Sequence, residues 1–264
     1  MSEQRVKIEV ADHIATVTLA RPEKHNALDL AMFEALVAAA EQVAGDPGAR
    51  AVVLHGEGPS FCSGLDVTSA MSVGDGSNGA DGLANVVPNS FQRTAYDWMT
   101  LPVPVIAAVH GNCLGGGLQI ALAADVRFAT PDARLSVMEA KWGLIPDMSI
   151  TQTLPRLVPI DVAKELTYTA RVLSGEEALR LGLVTHLAED PLASARELAA
   201  EIAGRSPDAI RGAKRLLNQV WNAPPQEGLR LEAEIQLKLL GSANQLAAVT
   251  AGMTKQAAEF TDPT

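Results

Sequence analysis

Apolar and polar positions alternate from Val6 to Leu19, with a break at Ala11-Asp12-His13, and this pattern predicts a β-hairpin. After the loop "RPEKHNALD", apolar residues recur at helical spacing through "LAMFEALVAAAEQVAG", so a helix is expected with Asp29 as its N-cap and Gly45 at its end. The runs "AVVLHG" and "VPVIAAVHG" read as short buried strands. Gly117 to Ala124 then reads as a helix and "DVRFAT" as a further strand. Alternating strands and helices predict an α/β fold. The stretch 68–90, rich in Gly, Ser, Asn and Asp, shows no period and is expected to be a mobile surface segment. Beyond Pro159 the pattern turns helical: "DVAKELTYTA", "SGEEALRLG" capped by Ser174, "PLASARELAAEIAG", "SPDAIRGAKRLLNQVW" and one long run from Pro225 to Phe260. A helix-rich tail on an α/β body suggests docking against a neighbouring subunit.

Composition narrows the function. At 264 residues and 47% hydrophobic, the chain can bury one substantial core, so one catalytic unit is expected. Its 31 acidic against 21 Lys and Arg residues give a net charge of −10, which argues against a nucleic-acid partner. The charged start "MSEQRVKIEV" has no signal-peptide core, and Pro102, Pro104, His110, Asn112 and Gln119 interrupt the apolar stretch from Leu101, so no membrane association and a cytoplasmic location are expected. Cys62 and Cys113 form no CxxC pair and are too few for a metal cage. They read as reduced, small packing residues, with no metal site.

Two glycine-bearing loops each follow a predicted buried strand: "FCSGLD" and "GNCLGGGLQ". Glycine lets the backbone approach a ligand closely. If the two strands are neighbours, one backbone N–H from each loop could converge on a single oxygen and form an oxyanion hole, although Gly115 to Gly117 would equally permit tight helix-on-strand packing. The spacing is not G-x-G-x-x-G, and no G-x-x-x-x-G-K-[ST], H-E-x-x-H or G-x-S-x-G occurs, so nucleotide, zinc-protease and serine-esterase chemistry lose their signatures. In "LSVMEAKWGLIPDMS", Glu139 lies beside Val137, Met138 and Trp142, where burial would raise its pKa, and Asp147 follows eight residues later beyond Gly143 and Pro146. A turn there could bring both carboxylates to one pocket; taken separately, each could as well be a surface or capping acid.

Together "RPEKHNALD", "FCSGLDV", "GNCLGGGLQIALAADVR" and "MEAKWGLIPD" resemble the motifs of the crotonase superfamily, the enoyl-CoA hydratases and isomerases, in order and spacing. The resemblance implies a spiral of β-β-α turns over residues 1–200 and a C-terminal helical trimerisation region over 201–264, assembling as a homotrimer or a dimer of trimers. It implies an acyl-CoA substrate and no cofactor beyond the coenzyme A of the substrate itself. The Leu65 and Gly116 amides would hold the thioester oxygen. Lys24, His25, Ala27, Ser63, Gly64, Asp66 and Gly115 would line the CoA path, Trp142 would border the acyl pocket, and Phe260 would reach a neighbouring subunit's CoA.

Hydratases of this family use a second glutamate where this chain has Gln119, and an amide has no usable proton affinity near neutrality. Glu139 remains, and Asp147 coincides with the additional acid of the family's dienoyl-CoA isomerases, which also carry an aspartate at the position of Gln119. Double-bond isomerisation by Glu139 and Asp147 is therefore expected ahead of hydration. The alternatives are an ordinary enoyl-CoA hydratase of the β-oxidation type, an acyl-CoA hydrolase or decarboxylase, and a non-catalytic acyl-CoA binder.

Overall fold

The computed structural model describes residues 4–66 and 86–263. Strands β1 (Val6–Ala11) and β2 (Ile14–Leu19) form the expected antiparallel hairpin. Asp12 and His13, at φ 50° and 65°, make the two-residue turn whose twist suits such a hairpin. In helix α1 (Leu30–Ala44), the Asp29 carboxylate accepts from the Met32 N–H at 2.8 Å and so replaces one missing helical hydrogen bond. Met32, Phe33, Leu36, Ala39, Ala40 and Val43 form its buried stripe.

Strands β3 (Ala51–Gly56) and β4 (Val105–Val109) continue the sheet in parallel, β6 (Val126–Ala129) and β9 (His186–Leu187) complete it, and the order is β1-β2-β3-β4-β6-β9. Both faces of its centre are covered. Val52 and Leu54 face the main core, whereas Ala51 and Val53 face Ala195 and Ala199 of a helix across the sheet. Two-sided burial is why these strands read as unbroken apolar runs in the sequence.

A second, three-stranded sheet joins β5 (Asn112–Leu114), β7 (Arg134–Ser136) and β8 (Leu173–Ser174). Helix α2 (Ser90–Thr100) has an Asn89–Gln92 capping box and buries Thr94, Ala95 and Trp98 against the core. The irregular surface segment expected over 68–90 falls for the most part outside the described residues, and its last residue already begins this helix. Helix α3 (Gly116–Leu122) starts one residue before its expected position and is buried throughout.

After α4 (Ile150–Thr153), α5 (Ile160–Thr169) and α6 (Gly175–Leu181), helix α7 (Pro191–Ala203) covers the second face of the sheet. Ser174 caps α6 as expected, accepting from the Glu177 N–H. Helix α8 (Pro207–Val220) follows. The long run expected from Pro225 to Phe260 is instead two helices, α9 (Pro225–Leu239) and α10 (Ala243–Thr254). Gly241 at φ +76° turns the chain between them, and Ser242 caps α10. No helix among the described residues is long and apolar enough to cross a membrane.

Candidate active site

Because β3 and β4 are parallel neighbours, the loops that follow them leave the same edge of the sheet, where open α/β sheets place their ligands. The two loops are stitched together. The Cys62 N–H donates to Asn112 O at 2.9 Å, and the Leu114 N–H donates to Cys62 O at 3.0 Å. On the other side of the first loop, the Leu28 N–H donates to Gly64 O at 2.8 Å and the Asp66 N–H to Leu28 O at 2.9 Å. That parallel bridge engages the residues on either side of Leu65 and turns the Leu65 amide away from Leu28. Gly116 opens α3, where a helical N–H has no partner within its own helix. Neither the Leu65 nor the Gly116 amide meets a backbone acceptor among the described residues, and both residues line one cavity of about 720 Å³.

Close approach explains the glycines. Gly64 has φ +88°, and a Cβ there would stand 2.6 Å from Leu114 O. At Gly117 a Cβ would collide with Cys62 O and stand 2.8 Å from Cys62 Cβ. Backbone cannot yield as a flexible side chain does, so Gly117→Ala should lower the unfolding free energy by about 2–3 kcal/mol, measured by denaturant titration. Within the triplet, Gly117 packs against Cys62 and Gly116 lines the cavity. Both cysteines are fully buried, and burial pushes the Cys62 thiol up to about 12, which leaves it inert as a nucleophile near neutrality.

Opposite the loops, residues Glu139–Trp142 form one short 3₁₀ turn, and Gly143 at φ 72° ends it. Gln119, buried in α3, reaches across: its Nε2 donates to Glu139 Oε1 at 2.7 Å, and its Oε1 accepts from the Met148 N–H at 2.9 Å. A backbone N–H can only donate, so the amide oxygen must face Met148 and the NH2 must face Glu139. The other carboxylate oxygen, Glu139 Oε2, is buried and has no hydrogen-bond partner among the described residues. Burial raises the Glu139 carboxyl above its ordinary value. The hydrogen bond from Gln119 opposes that rise, and the charge of nearby Asp147 adds to it. Asp147 keeps contact with solvent at the cavity mouth, yet partial desolvation raises its carboxyl as well.

Of the residues singled out in the sequence, Ser63, Gly64, Leu65, Gly115, Gly116, Gln119, Glu139, Trp142 and Asp147 line this cavity together. Trp142 is 56% exposed at the rim, with the Lys141 ammonium 5.4 Å from its ring centre. Lys24, His25, Ala27 and Asp66 stand beside the cavity rather than in its wall. His25 Nδ1 lies 2.9 Å from Ser60 Oγ, Ser63 Oγ donates to Lys24 O, and the Arg21 guanidinium binds both Ala27 O and the Asp66 carboxylate. Phe260 lies elsewhere: its carbonyl accepts from Arg50, just before the start of β3 and away from the strand end that carries the loops. The sequence reading missed Met148, whose N–H fixes Gln119, and the Phe33–Phe91 edge-to-face pair in the cavity wall, with ring centres 4.9 Å apart.

The family model described as Enoyl-CoA hydratase/isomerase matches residues 9–263. The chain belongs to the enoyl-CoA hydratase/isomerase family. Among members of this crotonase superfamily, it is 34% identical to the mitochondrial Delta(3,5)-Delta(2,4)-dienoyl-CoA isomerase of Mus musculus, over 92% of this chain and 77% of that one. It is 31% identical to the enoyl-CoA hydratase EchA19 of Mycobacterium tuberculosis, over 96% and 95% of the two chains. The crystal structure of an enoyl-CoA hydratase from Bacillus anthracis superposes with a TM-score of 0.88 at 31% identity, covering 97% of this chain and 99% of that one. The fold is therefore that of the crotonases: a mixed α/β body followed by a C-terminal helical region. Like its relatives, the chain is an enzyme of this family.

Proposed function

We propose that the chain isomerises a carbon–carbon double bond in an enoyl-CoA thioester, with hydration slow or absent. The Leu65 and Gly116 amides hold the thioester oxygen, where the electron pair arrives as a proton leaves a neighbouring carbon. One such donor is worth about 2.7–4 kcal/mol when aimed at developing charge. Glu139 removes the proton through Oε2, and the Glu139–Asp147 pair, coupled through charge, returns one to a second carbon. The double bond moves, no atom is gained or lost, and no cofactor is consumed. Ser63, Gly64 and Gly115, with Lys24, His25, Ala27 and Asp66 beside them, form the path of the CoA handle, whose binding energy positions the reacting carbons. Trp142 borders the acyl end, and Phe260 serves a neighbouring subunit's site.

The observation that carries this reading is the 2.7 Å bond in which Gln119 is the donor to Glu139. An amide fixed as a donor can orient a carboxylate but cannot hand a proton to or take one from water. Residues 201–264 serve assembly into a cytoplasmic trimer or dimer of trimers. Leu237 at 73% and Met253 at 81% exposure on α9 and α10 support that role, since apolar side chains so placed favour burial in a contact.

Incubation with 3-enoyl-, 3,5-dienoyl- and 2-enoyl-CoA, followed by ultraviolet absorbance and product mass, tests the proposal. Rearranged isomers of unchanged mass are expected from the first two. Hydration of 2-enoyl-CoA, seen as a gain of one water, is expected at under about one hundredth of that rate. Rapid hydration would overturn the reading in favour of the hydratases among the relatives. Loss of CoA or carbon dioxide would point instead to hydrolysis or decarboxylation.

A further inference from the structure

We propose that the cavity discriminates by charge at the far end of the acyl group, accepting uncharged chains and rejecting those that end in a carboxylate. This rests on the reading of the cavity as an acyl-CoA site and adds a substrate class to it. The charged side chains in the described wall are Asp29, Glu139 and Asp147, and all are acids. Asp29 brings little net charge, because the Arg5 guanidinium lies 2.9 Å away and that of Arg21 3.6 Å. Glu139 and Asp147 form no ion pair among the described residues.

The loop that follows β3 adds no basic residue of its own. From Gly56 to Gln92 the sequence has no Lys, Arg or His. Lys141, the basic residue nearest to Glu139 and Asp147 in the sequence, has its ammonium 5.4 Å from the centre of the Trp142 ring and is not part of the lining. Leu28, Leu30, Phe33, Phe91, Leu114 and Met148 make most of the remaining wall apolar, and the neutral Ser63 and Gln119 bring no charge. A second carboxylate would lose its hydration there without gaining a partner, and would stand near the carboxylates that carry the proposed chemistry. An uncharged chain meets neither penalty.

The test measures binding of three saturated CoA thioesters of equal chain length, ending in a methyl, a carboxamide or a carboxylate, to the full chain by calorimetry at pH 8. Saturated chains have no double bond to move, and the carboxamide matches the carboxylate in size. The carboxylate thioester should bind about 30-fold more weakly than the carboxamide. That ratio should shrink several-fold when salt is raised from about 0.01 to about 0.5 M, because screening acts on charge and not on shape. Ile145→Lys adds a cation to the wall at a residue 76% exposed, where folding does not depend on it, and should bring the ratio below about threefold. Carboxylate and carboxamide binding within about threefold in the unaltered protein would overturn the proposal. So would a ratio indifferent to both salt and the lysine, which would assign it to size. Failure of all three thioesters to bind would remove the acyl-CoA reading and this inference with it, whereas equal binding removes only the inference.

Discussion

Glu139→Gln should lower kcat for isomerisation by about a thousandfold while leaving acyl-CoA binding within about threefold. The substituted amide keeps the shape and can still accept the hydrogen bond from Gln119 Nε2, so the wall of the cavity is preserved. What it loses is Oε2, the proposed base: a buried oxygen with no competing hydrogen bond among the described residues. The same variant carries a second signature in stability. Burial raises the folded-state pKa of Glu139 above its ordinary value of 4.5, so between those two values the folded protein holds the proton more tightly than the unfolded chain does. The stability from that proton is full below about 4.5 and is lost as pH rises through the folded value. Glu139→Gln carries no such proton. It should therefore melt at a higher temperature than the unaltered protein at pH 8, with the difference closing as pH falls toward about 4. A variant that is less active but equally or less stable at pH 8 would mean that the carboxylate is not strained by burial. An unaltered kcat would remove Glu139 from the chemistry.

The frame of the site was legible because its parts are local. The Asp12-His13 turn, the Asp29 and Ser174 caps and the two-sided strands β3 and β4 each announce themselves within a few residues of sequence. The loop glycines did so as well, since a Cβ at Gly64 or Gly117 would meet backbone whatever the ligand. Less local features stayed hidden. Strands β5, β7 and β8 have three, three and two residues, too few to show alternation, and they exist through partners far along the chain. Helix α2 was obscured by "SFQRTAYDWMT", whose single narrow stripe of Thr94, Ala95 and Trp98 gains its meaning only from the core it covers. The break at Gly241-Ser242 was visible as residues but not as a decision, because helical spacing resumes directly after it. At the site, Gln119 and Glu139 could be named from sequence, but the direction of the bond between them could not. That direction depends on the Met148 N–H, 29 residues away from Gln119.

Gln119→Glu, which reverses that asymmetry, should add hydration of 2-enoyl-CoA at a rate at least about 100-fold above the unaltered protein. The Met148 N–H would still be satisfied by one carboxylate oxygen, while the other would occupy the place of Nε2, 2.7 Å from Glu139 Oε1. Two carboxylates at that distance cannot both ionise readily, so the pair would keep one proton between them over the working pH range, and that shared proton is the donor hydration requires. In the unaltered protein Gln119 lowers the Glu139 pKa by donating to it; in the variant a neighbouring negative charge raises it. The direction follows. Hydration in the variant should rise and then fall with pH, and the falling limb, where the shared proton is lost, should lie above the pH at which the unaltered enzyme's isomerisation reaches its plateau. Product mass separates hydration from isomerisation, and the two pH profiles report the protonation states. A folded variant that binds acyl-CoA but forms no 3-hydroxyacyl product would show that the amide is not what withholds water chemistry from this site, and that the hydrogen-bond direction is incidental to the reaction.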